Sequence, residues 1–342
     1  MKEWDQVTFD YPEIPTMISK EEKNYLFWIA SKIWTGEGKI VEIGPWLGGS
    51  TYCLCAGMAQ NPIKSTKKLH VYDNFIWRDF MGERAALGLH AGESFQEHFR
   101  SYIKDYQHYV VDHKQSLPDE PIENDSYLVS RRQKDQEIEK LIRNENSDKT
   151  EIFFIDGAKS WTGMKYLLNQ FSDSFIPGKT LLICQDYKYW GTYWVVIILE
   201  MLMDYLTLVH NLQNNTTTFR INSTFQNRNL EICDFEEITV NKGISLLDNA
   251  SQRLEKSGDK LGARIINISK VRFLYNKNEI DQATSLFRSL ESSWPLGLED
   301  QSLEAVRTWL INQINLDIPK SFNTGLRKRY KLFKKLYRYI SG

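Results

Sequence analysis

The strongest chemical signal in the sequence is a glycine-rich turn between an apolar run and a helical pattern. Residues 40–51 have the sequence IVEIGPWLGGST. Glycines let a backbone approach a ligand closely, and the start of a helix presents N–H groups to that ligand. Trp46 stands where a dinucleotide-binding G-x-G-x-x-G turn has its second glycine, which disfavours pyrophosphate binding. A structural tight turn is the alternative to a ligand site. The predicted binding residues are Glu42, Gly44, Gly48, Gly49 and Ser50.

Three further apolar runs end in an acidic side chain. Residues 70–73 are HVYD, residues 153–161 are FFIDGAKSW and residues 177–187 are PGKTLLICQDY. An acid at the end of a strand, such as Asp73, can accept hydrogen bonds from both hydroxyls of a ribose. Such an acid is often only a helix cap, but its combination with the glycine turn favours the ribose interpretation. These runs are therefore candidates for one binding site.

The turn and these runs together resemble the motifs of class I S-adenosylmethionine-dependent methyltransferases. The resemblance is to the group that includes macrocin O-methyltransferase and the cephalosporin hydroxylase-like proteins, and it extends over about residues 38–219. In that group the fourth strand typically ends Ile-Asp-Gly-x-His-Ser-Tyr, and the fifth ends in an acidic pair or in one Asp followed by Tyr. The resemblance implies S-adenosylmethionine as the cofactor, with its ribose at Asp73. It also implies an adenine contact at Asp112, with His113 as the less favoured candidate.

The resemblance further implies three catalytic positions, Asp156, Asp186 and Lys159. Asp156 and Asp186 match carboxylates that hold magnesium in the metal-using members, which suits a hard cation. Two departures weaken the magnesium interpretation and remove the usual histidine base: Gln185 replaces a second acid, and Lys159 replaces the histidine. Methyl transfer still needs little acid–base chemistry, because the sulfonium methyl is activated and positioning supplies much of the acceleration. Asp156 or Asp186 could accept the acceptor proton, while Lys159 stabilises an alkoxide or faces solvent.

The elements that must position these residues follow from hydrophobic patterning. Strand-like runs alternate with helical patterns, and a hairpin signal follows a helix after the fifth run. This order predicts an α/β fold with a doubly wound, seven-stranded, mostly parallel sheet of the Rossmann-like methyltransferase type. An antiparallel terminal hairpin and an all-helical C-terminal extension complete the predicted fold. The predicted strands are residues 39–43, 68–72, 109–111, 151–155, 180–184, 205–210 and 216–221.

Changes in sequence texture predict four segments. The third contains two helical hairpins that weakly resemble tetratricopeptide packing, and a plain helical cap is the favoured alternative. A charged insertion at about 115–149, with a predicted helix over 131–143, is either a solvated loop or a lid. The segments are an N-terminal helical cap (1–37), the S-adenosylmethionine-binding methyltransferase domain (38–235), the helical extension (236–317) and a basic amphipathic tail (318–342).

Composition excludes several classes of protein and of partner. The chain has 342 residues, and 43 Lys and Arg against 44 Asp and Glu leave no global basic field for nucleic acid. Four cysteines without metal-ligand spacing indicate buried thiols in a reducing compartment. The charged N-terminus is unlike a secretory signal, and no apolar run is long enough to span a membrane. These features predict a cytoplasmic protein.

The tail is the main uneven feature of the charge. After Asp317 the chain contains eight basic residues and no acid. Apolar residues recur at helical spacing through 326–340, which is typical of a basic amphipathic helix. Such a helix can lie peripherally on the anionic inner membrane surface, or it can dock on the acidic remainder of the chain or on a second subunit of a homo-oligomer.

The expected function is methylation of a hydroxyl of a sugar or sugar-containing intermediate, by direct in-line transfer from S-adenosylmethionine. The substrate class comes from the resemblance alone, and it corresponds to carbohydrate or natural-product modification. Two alternatives stay open. One is a non-catalytic methyltransferase-fold protein that binds a partner, motivated by Lys159 and Gln185. The other is a metal-assisted enzyme of different chemistry that depends on Asp156 and Asp186.

Overall fold

The structure is a computed structural model, and two compact units divide the chain, Met1–Phe273 and Leu274–Gly342. Lys159, most of the predicted insertion and the whole basic tail lie outside the described residues, so the predictions made for them stay predictions. The structure describes residues 2–63, 65–118, 141–144, 148–158, 160–213, 215–223, 232–293 and 301–314.

Seven strands form one sheet in the first unit, in the order β3-β2-β1-β4-β5-β7-β6. Strands β1 to β5 are parallel, and β7 is antiparallel to both β5 and β6. The predicted mostly parallel sheet with a terminal antiparallel hairpin is confirmed. The strands are β1 Lys39–Ile43, β2 Leu69–Asp73, β3 Val110–Lys114, β4 Thr150–Ile155, β5 Leu181–Cys184, β6 Leu206–Asn211 and β7 Thr217–Ile221.

Helices flank the sheet and continue into the second unit. The helix predicted after the fifth strand is confirmed as α5, and the four helices predicted after residue 236 are confirmed as α6 to α9. The α-helices of the described residues are α1 Lys20–Trp28, α2 Gly49–Gln60, α3 Gln96–Tyr102, α4 Trp161–Phe171, α5 Tyr193–Met201, α6 Val240–Lys256, α7 Lys260–Asn276, α8 Ile280–Ser292 and α9 Gln301–Ile314.

Side-chain alternation along the strands builds a separate hydrophobic core on each face of the sheet. In β4, Phe153 packs in the core that contains α4 and α5, whereas Phe154 packs in the core that contains α1 and α2. Both rings are buried to within 1% of full coverage, and burial of one such side chain contributes about 1.5–3 kcal/mol. Strands buried on both faces explain why these runs are almost continuously apolar in the sequence.

Two smaller predictions have mixed outcomes. Cys53, Cys55 and Cys184 are buried free thiols as predicted, but Cys233 is partly exposed, so that prediction is wrong for one of the four. Leu141, inside the predicted helix 131–143, instead forms an isolated β-bridge to Ser116. Within the described residues, no helix is both long and apolar enough to cross a membrane.

Candidate functional site

The parallel register brings the predicted site residues to one edge of the sheet. Ile43 at the end of β1 pairs with Tyr72 of β2 and with Ile155 of β4, and Ile155 in turn pairs with Cys184 of β5. The glycine turn and the acids that follow these strands therefore leave the sheet at neighbouring positions. In open α/β sheets this carboxyl edge is where ligands bind.

The glycine turn lies directly against the chain that leaves β4. Gly44 has φ +81° and donates its N–H to the carbonyl of Tyr72 at 3.0 Å. A Cβ atom at residue 44 would lie 2.9 Å from both the Cα and the nitrogen of Gly157. Only glycine fits this position, because a side chain would meet backbone atoms and because φ is left-handed.

The start of α2 is covered by the N-terminal segment. Gly48 precedes α2 with φ +92°, and a Cβ there would lie 2.9 Å from Ile103. A Cβ on Gly49 would lie 2.6 Å from the hydroxyl oxygen of Thr16 and 2.8 Å from that of Tyr11. Tyr11 and Thr16 thus bring polar groups to the first turn of α2, which the sequence patterns did not indicate.

Glu42 supports the turn from inside the protein. Its side chain is fully buried, and it accepts hydrogen bonds from Ser50 and, at 2.7 Å, from Thr51. Burial raises the pKa of Glu42 to about 7, although both hydroxyl donors oppose the shift. Glu42 and Ser50 therefore contact each other, and Glu42 links β1 to α2. Their predicted contact with the cofactor stays a prediction.

We expect Glu42 to make the protein less stable as the pH rises from 4.5 to 7. Its folded pKa lies above the ordinary 4.5, so the folded state holds a proton that the unfolded chain releases within this window. The shift corresponds to a loss of about 3 kcal/mol. Urea unfolding across this range should show the loss in the wild type and not in Glu42→Gln. The exposed Glu97→Gln is the control, and parallel stability profiles for all three proteins would contradict the expectation.

Asp73 holds the turn that follows β2. One carboxylate oxygen accepts the N–H of Phe75 at 2.6 Å, and Phe75 has φ +55°. The ring of Phe75 is fully buried against Phe95 and Phe99. This packing fixes the position of the carboxylate at the end of β2, and the ribose role of Asp73 stays a prediction.

Asp112 is held by α3. Its Oδ2 accepts hydrogen bonds from Arg100 Nη2 at 2.8 Å, from Arg100 Nε at 3.1 Å and from Gln96 Nε2 at 2.7 Å. These contacts fix the carboxylate, and its adenine role stays a prediction. On the other side of β3, the ring of His113 stacks on Tyr72 with centroids 4.3 Å apart and lies 3.0 Å from the Nδ1 atom of His70.

Asp156 and Asp186 share one partner, Gln185. From the sequence, Gln185 was identified only as the replacement of a second acid. One end of the Gln185 amide lies 2.7 Å from Oδ1 of Asp156 and 3.0 Å from both carboxylate oxygens of Asp186, and hydrogen bonding assigns the nitrogen to this end because an oxygen would face only acceptors. Asp186 has φ +64°, and its carbonyl accepts the hydroxyl of Thr192 at 2.6 Å. The sequence signal that could have indicated this contact is a polar residue, Gln185, directly before the acid at the end of the strand. Within the described residues, no group of three or more His, Cys, Asp or Glu side chains is placed to hold a metal.

Backbone strain and an unsatisfied donor also lie at this edge. Trp46, Phe75 and Asp186 have φ values of 46°, 55° and 64°, and they follow β1, β2 and β5. Strained residues of this kind concentrate at ligand sites, where the surrounding structure holds them in place. The indole nitrogen of Trp46 is buried, and no acceptor for it occurs within the described part of the chain. An unsatisfied buried donor costs about 1–3 kcal/mol, so a ligand acceptor would stabilise it.

Comparisons with known proteins give distant structural likenesses. No protein-family model matches the chain, and no curated protein matches it. The O-methyltransferase NovP is 17% identical, with 61% of this chain and 83% of that chain covered and a TM-score of 0.42. TomG, an O-methyltransferase from Streptomyces achromogenes solved in complex with SAM, is 14% identical, with 60% and 82% covered and a TM-score of 0.37.

A third likeness is to an O-methyltransferase from Bacillus cereus in complex with SAH, which is 13% identical, with 62% and 84% covered and a TM-score of 0.38. The strand order decides the fold: five parallel strands, a helix and a terminal antiparallel hairpin form the class I methyltransferase arrangement. The chain has the class I methyltransferase fold. In that fold the glycine turn after β1 and the acid after β2 are neighbours, as they are here.

Proposed function

We propose that the protein is an S-adenosylmethionine-dependent methyltransferase. The observation that carries the proposal is the carboxyl edge of the sheet. There a glycine turn that excludes any side chain at residue 44 adjoins Asp73 at the end of the neighbouring strand. The residues proposed to bind the cofactor are Glu42, Gly44, Gly48, Gly49, Ser50, Asp73 and Asp112.

The residues present fit such a cofactor. Asp73 offers an acceptor at the place where a ribose would lie, and its turn is fixed by the contact with Phe75. The buried indole N–H of Trp46 has no acceptor among the described residues, and the carboxylate of an amino-acid moiety would supply one. S-adenosylmethionine, when bound, supplies an electrophilic methyl group. The protein then has to exclude water and orient the acceptor.

The acceptor is proposed to bind beside Asp156 and Asp186. Asp156 follows β4, which lies next to β1, and Asp186 follows β5, the strand beyond β4. Either carboxylate can accept a proton from a hydroxyl acceptor. Lys159 is proposed to stabilise the developing alkoxide. We extend the proposal to a hydroxyl of a sugar or sugar-containing intermediate, on the basis of the motifs at residues 153–161 and 177–187. A screen of sugar acceptors with methyl-labelled cofactor tests this extension.

Calorimetric titration with S-adenosylmethionine and S-adenosylhomocysteine tests cofactor binding. We expect Asp73→Asn to bind both ligands about 10–100-fold more weakly than the wild type, because one hydrogen bond to a charged acceptor is worth about 1.5–3 kcal/mol. Asparagine keeps an oxygen that can accept the N–H of Phe75, so the turn is preserved.

The exposed acid Asp204, which lies just before β6, supplies the control. Asp204→Asn should bind both ligands like the wild type, because the beginning of β6 lies at the opposite edge of the sheet from Asp73. Absence of binding to either ligand in the wild type would refute the proposal and favour the non-catalytic, partner-binding alternative. Equal binding by wild type and Asp73→Asn would remove Asp73 from the site.

A further inference from the structure

The carboxylates that follow β4 and β5 are bridged by a neutral amide. The Gln185 nitrogen lies 2.7 Å from Asp156 Oδ1 and 3.0 Å from each carboxylate oxygen of Asp186. An amide oxygen in this place would face only acceptors, whereas the NH2 group has two hydrogens to donate. Hydrogen bonding therefore assigns the donor end of the amide to the space between the carboxylates.

The backbone around this bridge is firmly held. The N–H of Gln185 donates to the carbonyl of Ile155 at 3.0 Å, which continues the β4–β5 ladder beyond the strand ends. The carbonyl of Asp186 accepts both the N–H of Tyr189 at 3.0 Å and the hydroxyl of Thr192 at 2.6 Å. Gln185 is thus fixed at both sides, and its amide is aimed by the fold.

A magnesium ion and the Gln185 NH2 group cannot both occupy the space between the carboxylates. Magnesium requires near-octahedral oxygen ligands at about 2.0–2.1 Å and is usually held by one or two carboxylates and several waters. With the NH2 group assigned to the space between Asp156 and Asp186, the amide presents no oxygen to a cation there. No third His, Cys, Asp or Glu side chain joins them in the described parts of the chain.

We propose that the Gln185 amide takes the place of a divalent cation and holds Asp156 and Asp186 in position. Gln185 is accordingly a positioning residue that makes the site independent of metal. One consequence concerns the substrate: its hydroxyl would donate hydrogen bonds to the two carboxylates, and this consequence rests on the proposed function. The consequence for metal binding depends only on the three side chains.

Gln185→Glu is the sharpest test, because it changes one NH2 group to an oxygen at the same size. Three carboxylates would then converge within about 3 Å and would repel one another until a cation binds between them. Manganese titration of the full chain, followed by the electron paramagnetic resonance signal of free Mn²⁺, measures this directly. We expect Gln185→Glu to bind Mn²⁺ at least about 100-fold more tightly than the wild type, since carboxylate number sets affinity over several decades.

Gln185→Ala is the matched control, because it removes the amide without adding a charge. It should show no such gain, and Mg²⁺ should displace Mn²⁺ from Gln185→Glu. If the wild type binds one Mn²⁺ per chain as tightly as Gln185→Glu and loses it in Asp156→Asn, the proposal is wrong. A folded Gln185→Glu protein without tighter Mn²⁺ binding would also overturn it.

Two further measurements keep the outcome unambiguous. If Gln185→Glu fails to fold by circular dichroism, the wild type and Asp156→Asn still decide the matter, because micromolar Mn²⁺ binding that requires Asp156 refutes the bridge and its absence supports it. S-adenosylhomocysteine titration of the same wild-type sample tests the proposed function separately. Failure of that titration leaves the manganese result unaffected.

Discussion

Gly44→Ala should lower the free energy of unfolding by about 2–5 kcal/mol and abolish binding of S-adenosylhomocysteine. A left-handed φ costs an alanine about 1–2 kcal/mol, and overpacking adds about 1–3 kcal/mol. The new Cβ would lie 2.9 Å from two backbone atoms of Gly157, which cannot rotate away as a side chain would. The two turns would have to separate, and the proposed cofactor site lies where they meet.

Gly178→Ala is the matched control for this prediction. Gly178 has φ +76°, close to the +81° of Gly44, but apart from its chain neighbours no atom of the described residues lies within 4 Å of the Cβ position. It should lose only the conformational part, about 1–2 kcal/mol, and bind the ligand normally. Urea unfolding of both variants isolates the cost of the close approach. Equal losses of unfolding free energy in the two variants would mean that the close contact between the turns after β1 and β4 does not affect stability.

Asp259→Ala should destabilise the protein by about 3–5 kcal/mol, because it leaves a buried ammonium group without its counter-charge. The Lys188 side chain is only 1% exposed, and its Nζ lies 2.8 Å from Asp259 Oδ2 and 2.9 Å from Asn211 Oδ1. Burial lowers the pKa of Lys188, although Asp259 opposes the shift. The pair attaches the start of α7 to the loop that follows β5, and Asn211 at the end of β6 contacts both members of the pair.

Asp259 also caps α7, so the variants have to separate two roles. Its Oδ1 accepts the N–H of Gly262 at 2.8 Å, a contact that Asp259→Asn can keep. Asp259→Asn should therefore show most of the destabilisation expected for Asp259→Ala, because it removes the charge and keeps the cap. Adding Lys188→Met should restore much of the lost stability, because both charges are then removed.

Chemical denaturation of these variants is compared with Glu37→Gln. Glu37 pairs with Lys179, and both side chains are about half exposed, so that change should alter stability by less than about 0.5 kcal/mol. If Asp259→Asn and Glu37→Gln cost the same, the buried pair does not stabilise the attachment of α7.

The order of the elements and the edge of the sheet that carries the candidate site could both be predicted from the sequence. Apolar runs ending in Gly44, Asp73, Asp156 and Asp186 were sufficient, because buried parallel strands require long apolar stretches and their ends coincide in space. Bounds were less certain where the pattern was weak. The third strand was predicted over 109–111 but spans Val110–Lys114, since it lies at the edge of the sheet and is only partly buried.

The contacts of each predicted site residue could be known only from the folded structure. Glu42 meets Ser50 and Thr51, and Asp112 meets Arg100, since packing of a helix on a strand selects these partners. From the sequence, Gln185 was interpreted as the loss of a metal ligand. In the fold, the pairing of β4 with β5 places its amide between Asp156 and Asp186. Hydrophobic periodicity is a local property of the chain and specifies elements. Hydrogen-bond partners are brought together by the packing of distant segments, so a one-dimensional pattern does not contain them.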